Sequence, residues 1–357
     1  MSTADGHPLV EPQAEVATRQ RRRLEATLAV EVRAAALHLF GADDHEVTVA
    51  LDQALDTDGD VPLYPGVYHL HRLLRAGEAH LRYSREAALE LAGQATGYLR
   101  RRRADGVRRY IGRPEEGYPA ACVQRALAQA PAELNRATVT SRLVPWPEVP
   151  TLERAVQLLA TAWPAAHAEI DAVLAQAWYL TGHGLVGFTD FAAHGAAFVS
   201  DSREIGTPGV PAAVRLAESL LHEVTHSVCN AAAVSEPLVA ASPEGKVTHV
   251  PTPLRADDRP LAGLMQQLIV LVRCAALYRR AAGAVPERVA VHARADALAG
   301  QAGQAVMTLR RYRAHLTAAG SAVVEAAARQ LTEHSTAPLE VAARPAAEAP
   351  GTVVPLT

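Results

Sequence analysis

Residues 211–233, PAAVRLAESLLHEVTHSVCNAAA, decide how this chain is interpreted. Apolar side chains recur there with a period close to 3.6 residues, which predicts an amphipathic α-helix. Pro211 suits the first turn of that helix, where a missing N–H costs nothing. The polar side is either a solvated face or the wall of an active site, and it carries Arg215, Glu218, Ser219, His222, Thr225, His226 and Cys229.

The centre of this helix is an HExxH motif. His222 and His226 are four residues apart, so their imidazoles lie on one helix face about 6 Å apart. Two such rings can bind one metal ion, with Glu223 beside them. The simpler alternative is two surface histidines flanking a glutamate. We favour the metal site because the motif lies inside a helical pattern.

Composition predicts a mainly α fold. The chain has 357 residues, of which 49% are apolar and only 4% aromatic, so its core must consist of aliphatic side chains on closely packed helices. The net charge of −3 demands neither a nucleic acid nor a membrane partner. We find no apolar stretch near the ~20 residues that span a bilayer. Residues 1–16 lack the apolar region of a signal peptide, which predicts a cytoplasmic protein.

The three cysteines show no metal-binding or disulfide spacing. Cys122, Cys229 and Cys274 therefore read as reduced thiols in the core. Cys229 lies one turn beyond His226, and a thiolate ligand there would favour zinc.

Two arginine runs, 21–23 and 100–103, are the only candidates for a basic surface patch. Solvated helix faces explain them best, with a docking surface for an acidic peptide as the alternative. No aromatic residues interleave with them, which argues against nucleic-acid binding.

We expect a single helical domain over residues 20–335, between a disordered N-terminal tail (1–19) and a disordered Ala/Pro-rich tail (336–357). Within it, a helical N-terminal lobe could cover 20–150 and the metal-site region 151–335. Helical patterns cover 20–40, 78–103, 152–180, 261–282 and 286–332. Residues 182–200 suggest one or two short strands, and the five prolines between Pro237 and Pro260 predict a long loop after the motif helix.

The extended protease motif HExxHxxGxxH is not met. Cys229 stands at its glycine position and Ala232 at its last histidine. The nearest downstream acids, Glu236 and Glu244, lie in the Pro-rich segment rather than on a later helix. These departures weaken a zinc-protease interpretation without removing it.

Two motifs together resemble the HExxH-containing peptide-modification proteins of bacterial gene clusters. The first runs from His222 to Asn230, and the second, TPLRADDRPLAGLM, covers residues 252–265. Family members share HExxHxxxNA followed by SPWRxDxRPxxGxxHG at the start of a helix. Some are Fe(II)- and α-ketoglutarate-dependent peptide β-hydroxylases, and the resemblance, which spans about residues 188–282, implies that class for this chain. The implied substrate is a peptide or amino-acid residue, such as a ribosomally made precursor peptide.

The resemblance assigns roles to individual residues. It implies that His222 and His226 are the metal ligands and Glu223 the motif acid. Asn230 matches an asparagine one turn past the motif, which either braces the helix against the following loop or takes a direct part in catalysis. Arg255 and Arg259 match the two family arginines, and a guanidinium can pair with the distal carboxylate of α-ketoglutarate.

The third metal ligand departs from the family pattern. Gln266 stands where the family has a histidine, and a neutral amide is a weak ligand for iron. His249 or His194 could take its place, or the position could stay open to water or an anion. An open position would allow hydroxylation, halogenation or loss of catalysis.

Three hypotheses therefore remain from the sequence. The first is an Fe(II)/α-ketoglutarate oxygenase acting on a peptide or amino acid, the second a zinc metallohydrolase, and the third a non-catalytic relative that binds a peptide or partner enzyme. The oligomeric state is left open.

Overall fold

The computed structural model is mainly helical and describes residues 6–55, 61–76, 81–103, 106–113, 116–128, 139–146, 149–202, 208–242, 245–253 and 258–333. The N-terminal helices are α1 (Ala14–Phe40), α2 (His45–Leu55), α3 (Gly66–Arg75), α4 (Leu81–Arg102) and α5 (Tyr118–Ala128). They are followed by α6 (Val149–Ala162), α7 (Pro164–Val173), α8 (Ala212–Ser235), α9 (Leu261–Ala281), α10 (Arg288–Arg311) and α11 (Ala318–Glu333). Helix α8 carries the HExxH motif, as the sequence predicts.

A small mixed sheet lies among these helices. Its strands are β1 (Arg142–Val144), β2 (Gln176–Thr181), β3 (Gly187–Thr189) and β4 (Ala196–Ser200), in the order β1-β2-β4-β3. The central pair β2 and β4 is parallel, and the two outer strands run antiparallel to it. A ribbon of β5 (His249–Val250) and β6 (Arg259–Pro260) follows α8 inside the Pro-rich segment.

The sheet separates two hydrophobic cores, because successive residues of a strand point to opposite faces. Ala177 and Tyr179 of β2 join the core that contains α6–α11. Trp178 and Leu180 join the core built on α1–α5. The same sheet therefore contributes side chains to both hydrophobic cores, and so does helix α1.

Helix α8 is buried almost all round. It packs against α1, α6, α7 and α9 and against β3 and β4. Its predicted polar face is therefore not solvated: Arg215, Glu218 and Ser219 are all buried. Glu218 accepts hydrogen bonds from Arg215 (2.7 Å) and Tyr278 (2.7 Å), which satisfy its carboxylate away from water.

The N-terminal segment is ordered further than the sequence suggests. Helix α1 begins at Ala14 rather than near residue 20, and Leu9 and Val10 are buried. The physical reason is a distant side chain: Arg273 of α9 donates to the carbonyls of Leu9 and Pro8, each at 2.9 Å. The predicted C-terminal tail, 336–357, lies outside the described residues.

Two of the predicted helices are interrupted. The pattern at 152–180 resolves into α6, α7 and β2, because Pro164 starts a new helix and residues 176–181 are aromatic and apolar enough for a buried strand. The pattern at 286–332 breaks between α10 and α11. Helices α2, α3 and α5 have no counterpart among our predictions, whereas the short strands at 182–200 are confirmed as β3 and β4.

Helix α9 corrects the expectation that the chain has no long apolar stretch. Of the described helices it alone, at 21 residues, is long and apolar enough to cross a membrane. It is also 78% buried inside the protein over its most apolar part, and Arg273 lies in its middle. This burial is that of a core helix in a soluble protein.

Three arginines of the two runs are paired with carboxylates, whereas Arg22, Arg23, Arg100 and Arg103 are exposed. Arg21 is buried and pairs with Glu25 at 2.6 Å. Arg101 pairs with Glu116 and Arg102 with Asp171. Charges neutralised in this way offer little to an acidic partner.

Candidate metal centre

Two imidazoles converge at the surface of α8. The Nε2 atoms of His222 and His226 lie 3.3 Å apart, and the ring centroids lie 5.0 Å apart. Both rings are partly exposed, whereas Glu223 between them is 3% exposed. The i, i+4 spacing therefore produces a pair of nitrogens that face one point.

This separation fits two ligands of one metal ion. Two nitrogens held about 2.1 Å from an ion and 3.3 Å apart subtend roughly 100° at it. That angle lies between the octahedral and the tetrahedral value, so the pair suits either iron or zinc. The donor set fits because neutral imidazole nitrogen binds both metals well.

The Nδ1 atom of His226, the ring nitrogen that does not face His222, contacts the neighbouring helix α9. This atom lies 2.9 Å from Oε1 of Gln266, and the Nε2 of Gln266 donates to Oδ1 of Asn230 at 2.9 Å. Gln266 thus spans from His226 to the residue one turn further along α8. Asn230 is thereby joined to His226 through Gln266.

Glu223 is bound to the sheet. The hydroxyl of Thr189, the last residue of β3, donates to Oε2 of Glu223 at 2.7 Å, and it also lies 3.1 Å from the main-chain oxygen of Glu223. Sequence reasoning missed Thr189, because nothing in a strand pattern marks which residue will meet a helix 34 positions later. The only available signal was that Thr189 ends a short strand shortly before the motif helix.

The candidate third ligands are dispersed. Gln266 contacts His226 on the side of the ring away from Nε2. His249 is exposed in β5, with its Nδ1 3.1 Å from the oxygen of Val247. His194 is buried against the rings of Tyr68 and Phe191. Within the described ranges, no group of three His, Cys, Asp or Glu side chains is placed to hold a metal ion.

Two arginines, Arg255 and Arg259, are predicted to bind the carboxylate of α-ketoglutarate, and the structure describes Arg259. Arg259 is half-buried in β6, immediately before α9, the helix that carries Gln266. Arg255 lies outside the described residues.

Cys229 is not available as a soft ligand. The side chain is 1% exposed and belongs to the core around α8 and α9. Burial raises the pKa of the Cys229 thiol to about 12, so it stays protonated at neutral pH. Cys122 and Cys274 are buried as well, which confirms that all three cysteines are core residues.

Comparison with known proteins does not assign the chain to a family: no family model matches it, and no curated protein matches it.

Proposed function

We propose that the protein is an Fe(II)- and α-ketoglutarate-dependent oxygenase that hydroxylates, or otherwise oxidises, a C–H bond of a peptide or amino-acid residue in a natural-product pathway in the cytoplasm. The observation that carries the proposal is the 3.3 Å approach of the two Nε2 atoms, with Nδ1 of His226 held by Gln266. The oxidative chemistry, rather than hydrolysis, rests on the likeness of residues 222–265 to peptide β-hydroxylases.

The residues divide the work of such a reaction. His222 and His226 would bind the metal, and Arg259, with Arg255, would pair with the distal carboxylate of α-ketoglutarate. Iron(II), when bound, supplies the activation of dioxygen that breaks an unactivated C–H bond. In the balanced reaction, α-ketoglutarate loses CO2 and takes one oxygen atom to become succinate, while the other oxygen enters the C–H bond as a hydroxyl. The buried Glu223 would hold its neighbours in place by accepting hydrogen bonds.

The free edge of β3 supports a peptide as the substrate. In the described part of the chain, no strand pairs with the edge of β3 that faces away from β4. Val186 and Phe191, which flank the strand, are 52% and 50% exposed. An extended peptide can add to such an edge through its main chain, and Thr189 would bring it next to Glu223.

Anaerobic titration tests the proposal directly. Addition of Fe(II) and then α-ketoglutarate to the metal-free protein should produce a metal-to-ligand charge-transfer band, which His222→Ala should abolish. The same substitution at His292, an exposed residue of α10, is the matched control and should leave the band unchanged. Absence of the band in the wild-type protein would overturn the proposal.

Substrate dependence supplies the second test. Succinate release should be stimulated by a candidate peptide and not by the corresponding free amino acid, because only the peptide can pair with an edge strand. Equal stimulation by both would contradict binding at β3.

A zinc hydrolase is the second candidate, favoured by one observation: the acid that follows His222 in the motif, Glu223, is buried, and such an acid serves as the general base of HExxH hydrolases. In that case zinc would support peptide cleavage, and Glu223→Gln would abolish cleavage while metal stays bound. A protein that functions equally well after His222→Ala would instead be a non-catalytic binding protein.

A further inference from the structure

We infer that Gln266 is a positioning residue rather than a third metal ligand: with Asn230 it fixes His226 in the tautomer whose Nε2 is free to bind metal. This inference rests on the proposed metal centre, but not on the identity of the metal or on the reaction.

The first step is the orientation of the Gln266 amide. Its Nε2 can only donate, and it lies 2.9 Å from Oδ1 of Asn230, which accepts. The Oε1 of Gln266 then faces His226, where it lies 2.9 Å from Nδ1. In this arrangement the donating end of the glutamine amide faces Asn230 and its accepting end faces the histidine.

The second step is the tautomer of His226. An amide oxygen only accepts, so Nδ1 of His226 must carry the proton that it donates to Gln266. A neutral imidazole carries one N–H, which leaves Nε2 with a lone pair. That lone pair points towards Nε2 of His222, 3.3 Å away, where the metal would lie. The opposite amide orientation would direct an N–H at Nδ1 and place the proton on Nε2, which excludes metal binding there.

The third step is rigidity. His226 and Asn230 occupy successive turns of α8, and Gln266 lies on α9, which packs against it. Leu264 and Met265, next to Gln266, are almost fully buried, so the backbone of this turn cannot shift easily. A hydrogen-bond acceptor on the outer nitrogen of a metal-binding histidine orients the ring and raises its basicity. Here a glutamine does so, at the position where related proteins would supply a ligand.

The decisive measurement is the tautomer itself, read in the metal-free protein by long-range ¹H–¹⁵N NMR of ¹⁵N-labelled histidine. We expect wild-type His226 to be protonated at Nδ1 and unprotonated at Nε2, and Gln266→Leu to show a mixture of tautomers. Gln267→Leu is the matched control. Among the residues that the structure describes, Gln267 makes no hydrogen bond to His222 or His226. An unchanged tautomer in Gln266→Leu would overturn the inference.

Metal affinity tests whether Gln266 and Asn230 act together on His226. Zn(II) affinity, measured by competition with a chromophoric chelator, should fall about 10- to 100-fold in Gln266→Leu. The same loss is expected in Asn230→Leu, although Asn230 contacts Gln266 and not the two Nε2 atoms. Asn230→Asp keeps the acceptor and should restore both tautomer and affinity. An Asn230→Leu variant that binds Zn(II) as tightly as the wild type would overturn the inference.

The two proposals fail separately. The first case is a wild-type protein that shows the expected His226 tautomer, and variants that show the expected Zn(II) affinities, but no charge-transfer band on addition of Fe(II) and α-ketoglutarate. That result would overturn the oxygenase and uphold the role of Gln266. If the Gln266→Leu variant kept both the charge-transfer band and an unchanged His226 tautomer, the oxygenase would be upheld and the role of Gln266 overturned.

Discussion

Glu223 accepts a hydrogen bond from a hydroxyl group of the sheet. Thr189 donates to the carboxylate at 2.7 Å, and Glu223 is 3% exposed. Thr189→Val keeps the shape of the side chain but removes the donor, so the buried carboxylate loses one hydrogen bond. We expect the free energy of unfolding, measured by urea titration, to fall by about 1–3 kcal/mol. Thr189→Ser, which restores the hydroxyl, should recover most of that loss; a Val variant as stable as the wild type would contradict this role.

His194 is the residue whose burial predicts a pH dependence. It is 2% exposed, and neither ring nitrogen has a hydrogen-bond partner among the described residues. Burial, with a smaller contribution from the charge of Arg21, lowers its pKa to about 4. The folded protein therefore holds His194 neutral, while the unfolded chain protonates it near pH 6.5.

The sign of the effect follows from this difference. The stabilisation is complete above about pH 6.5 and is lost as the pH falls towards 4, because the unfolded state binds the proton first. His194→Phe retains a ring against Tyr68 and Phe191 without a titrating group. Between pH 7 and pH 4 the wild type should lose on the order of 3 kcal/mol more unfolding free energy than the variant. Equal losses in urea titrations at the two pH values would refute the prediction.

At the scale of elements, the segment after α8 is fastened to the junction of α10 and α11. The N–H of Ala240 donates to the main-chain oxygen of His315 at 2.9 Å, and the Thr317 hydroxyl donates to the main-chain oxygen of Pro237 at 2.7 Å. Gly320, on the first turn of α11, lets the chain approach closely: a Cβ there would lie 1.9 Å from the oxygen of Leu238. The position of the Pro-rich segment relative to the motif helix α8 thus depends on the absence of a side chain at Gly320.

Gly320→Ala should therefore destabilise the protein, by about 1–3 kcal/mol, because two backbones must move apart. Gly300→Ala is the matched control within α10: it is exposed, a Cβ there meets nothing within 4 Å, and alanine favours a helix over glycine by about 1 kcal/mol. Thermal unfolding should show a lower midpoint for the first variant and an unchanged or higher midpoint for the second. Equal midpoints would show that the Leu238 contact can relax.

For the whole molecule, Arg273 ties the N-terminal segment to the centre of the larger core. It is fully buried, pairs with Glu169 of α7, and binds the carbonyls of Pro8 and Leu9. Glu169 in turn accepts from the main-chain N–H of Gln13 at 3.0 Å. One ion pair therefore joins α7, α9 and the chain before α1.

Arg273→Met should lower the unfolding free energy by about 3–5 kcal/mol, because it leaves the Glu169 carboxylate buried without its cation. Replacing both residues by methionine should cost less than the single change. Limited proteolysis should show earlier cleavage within residues 6–13 in the single variant. A double variant less stable than Arg273→Met would contradict this account of the pair.

The sequence by itself determined the helical character of the chain, the motif helix and the i, i+4 pairing of His222 with His226, because these depend on contacts within one or two helical turns. It also located the strands near residues 182–200. Only the tertiary structure decided that Arg21 and Arg273 are buried, that Thr189 holds Glu223, and that Gln266 meets His226. The last two contacts join residues 34 and 40 positions apart, and their existence depends on how α8 packs against β3 and α9. A periodic pattern reports which face of an element is apolar, but not which residue of another element will lie against it.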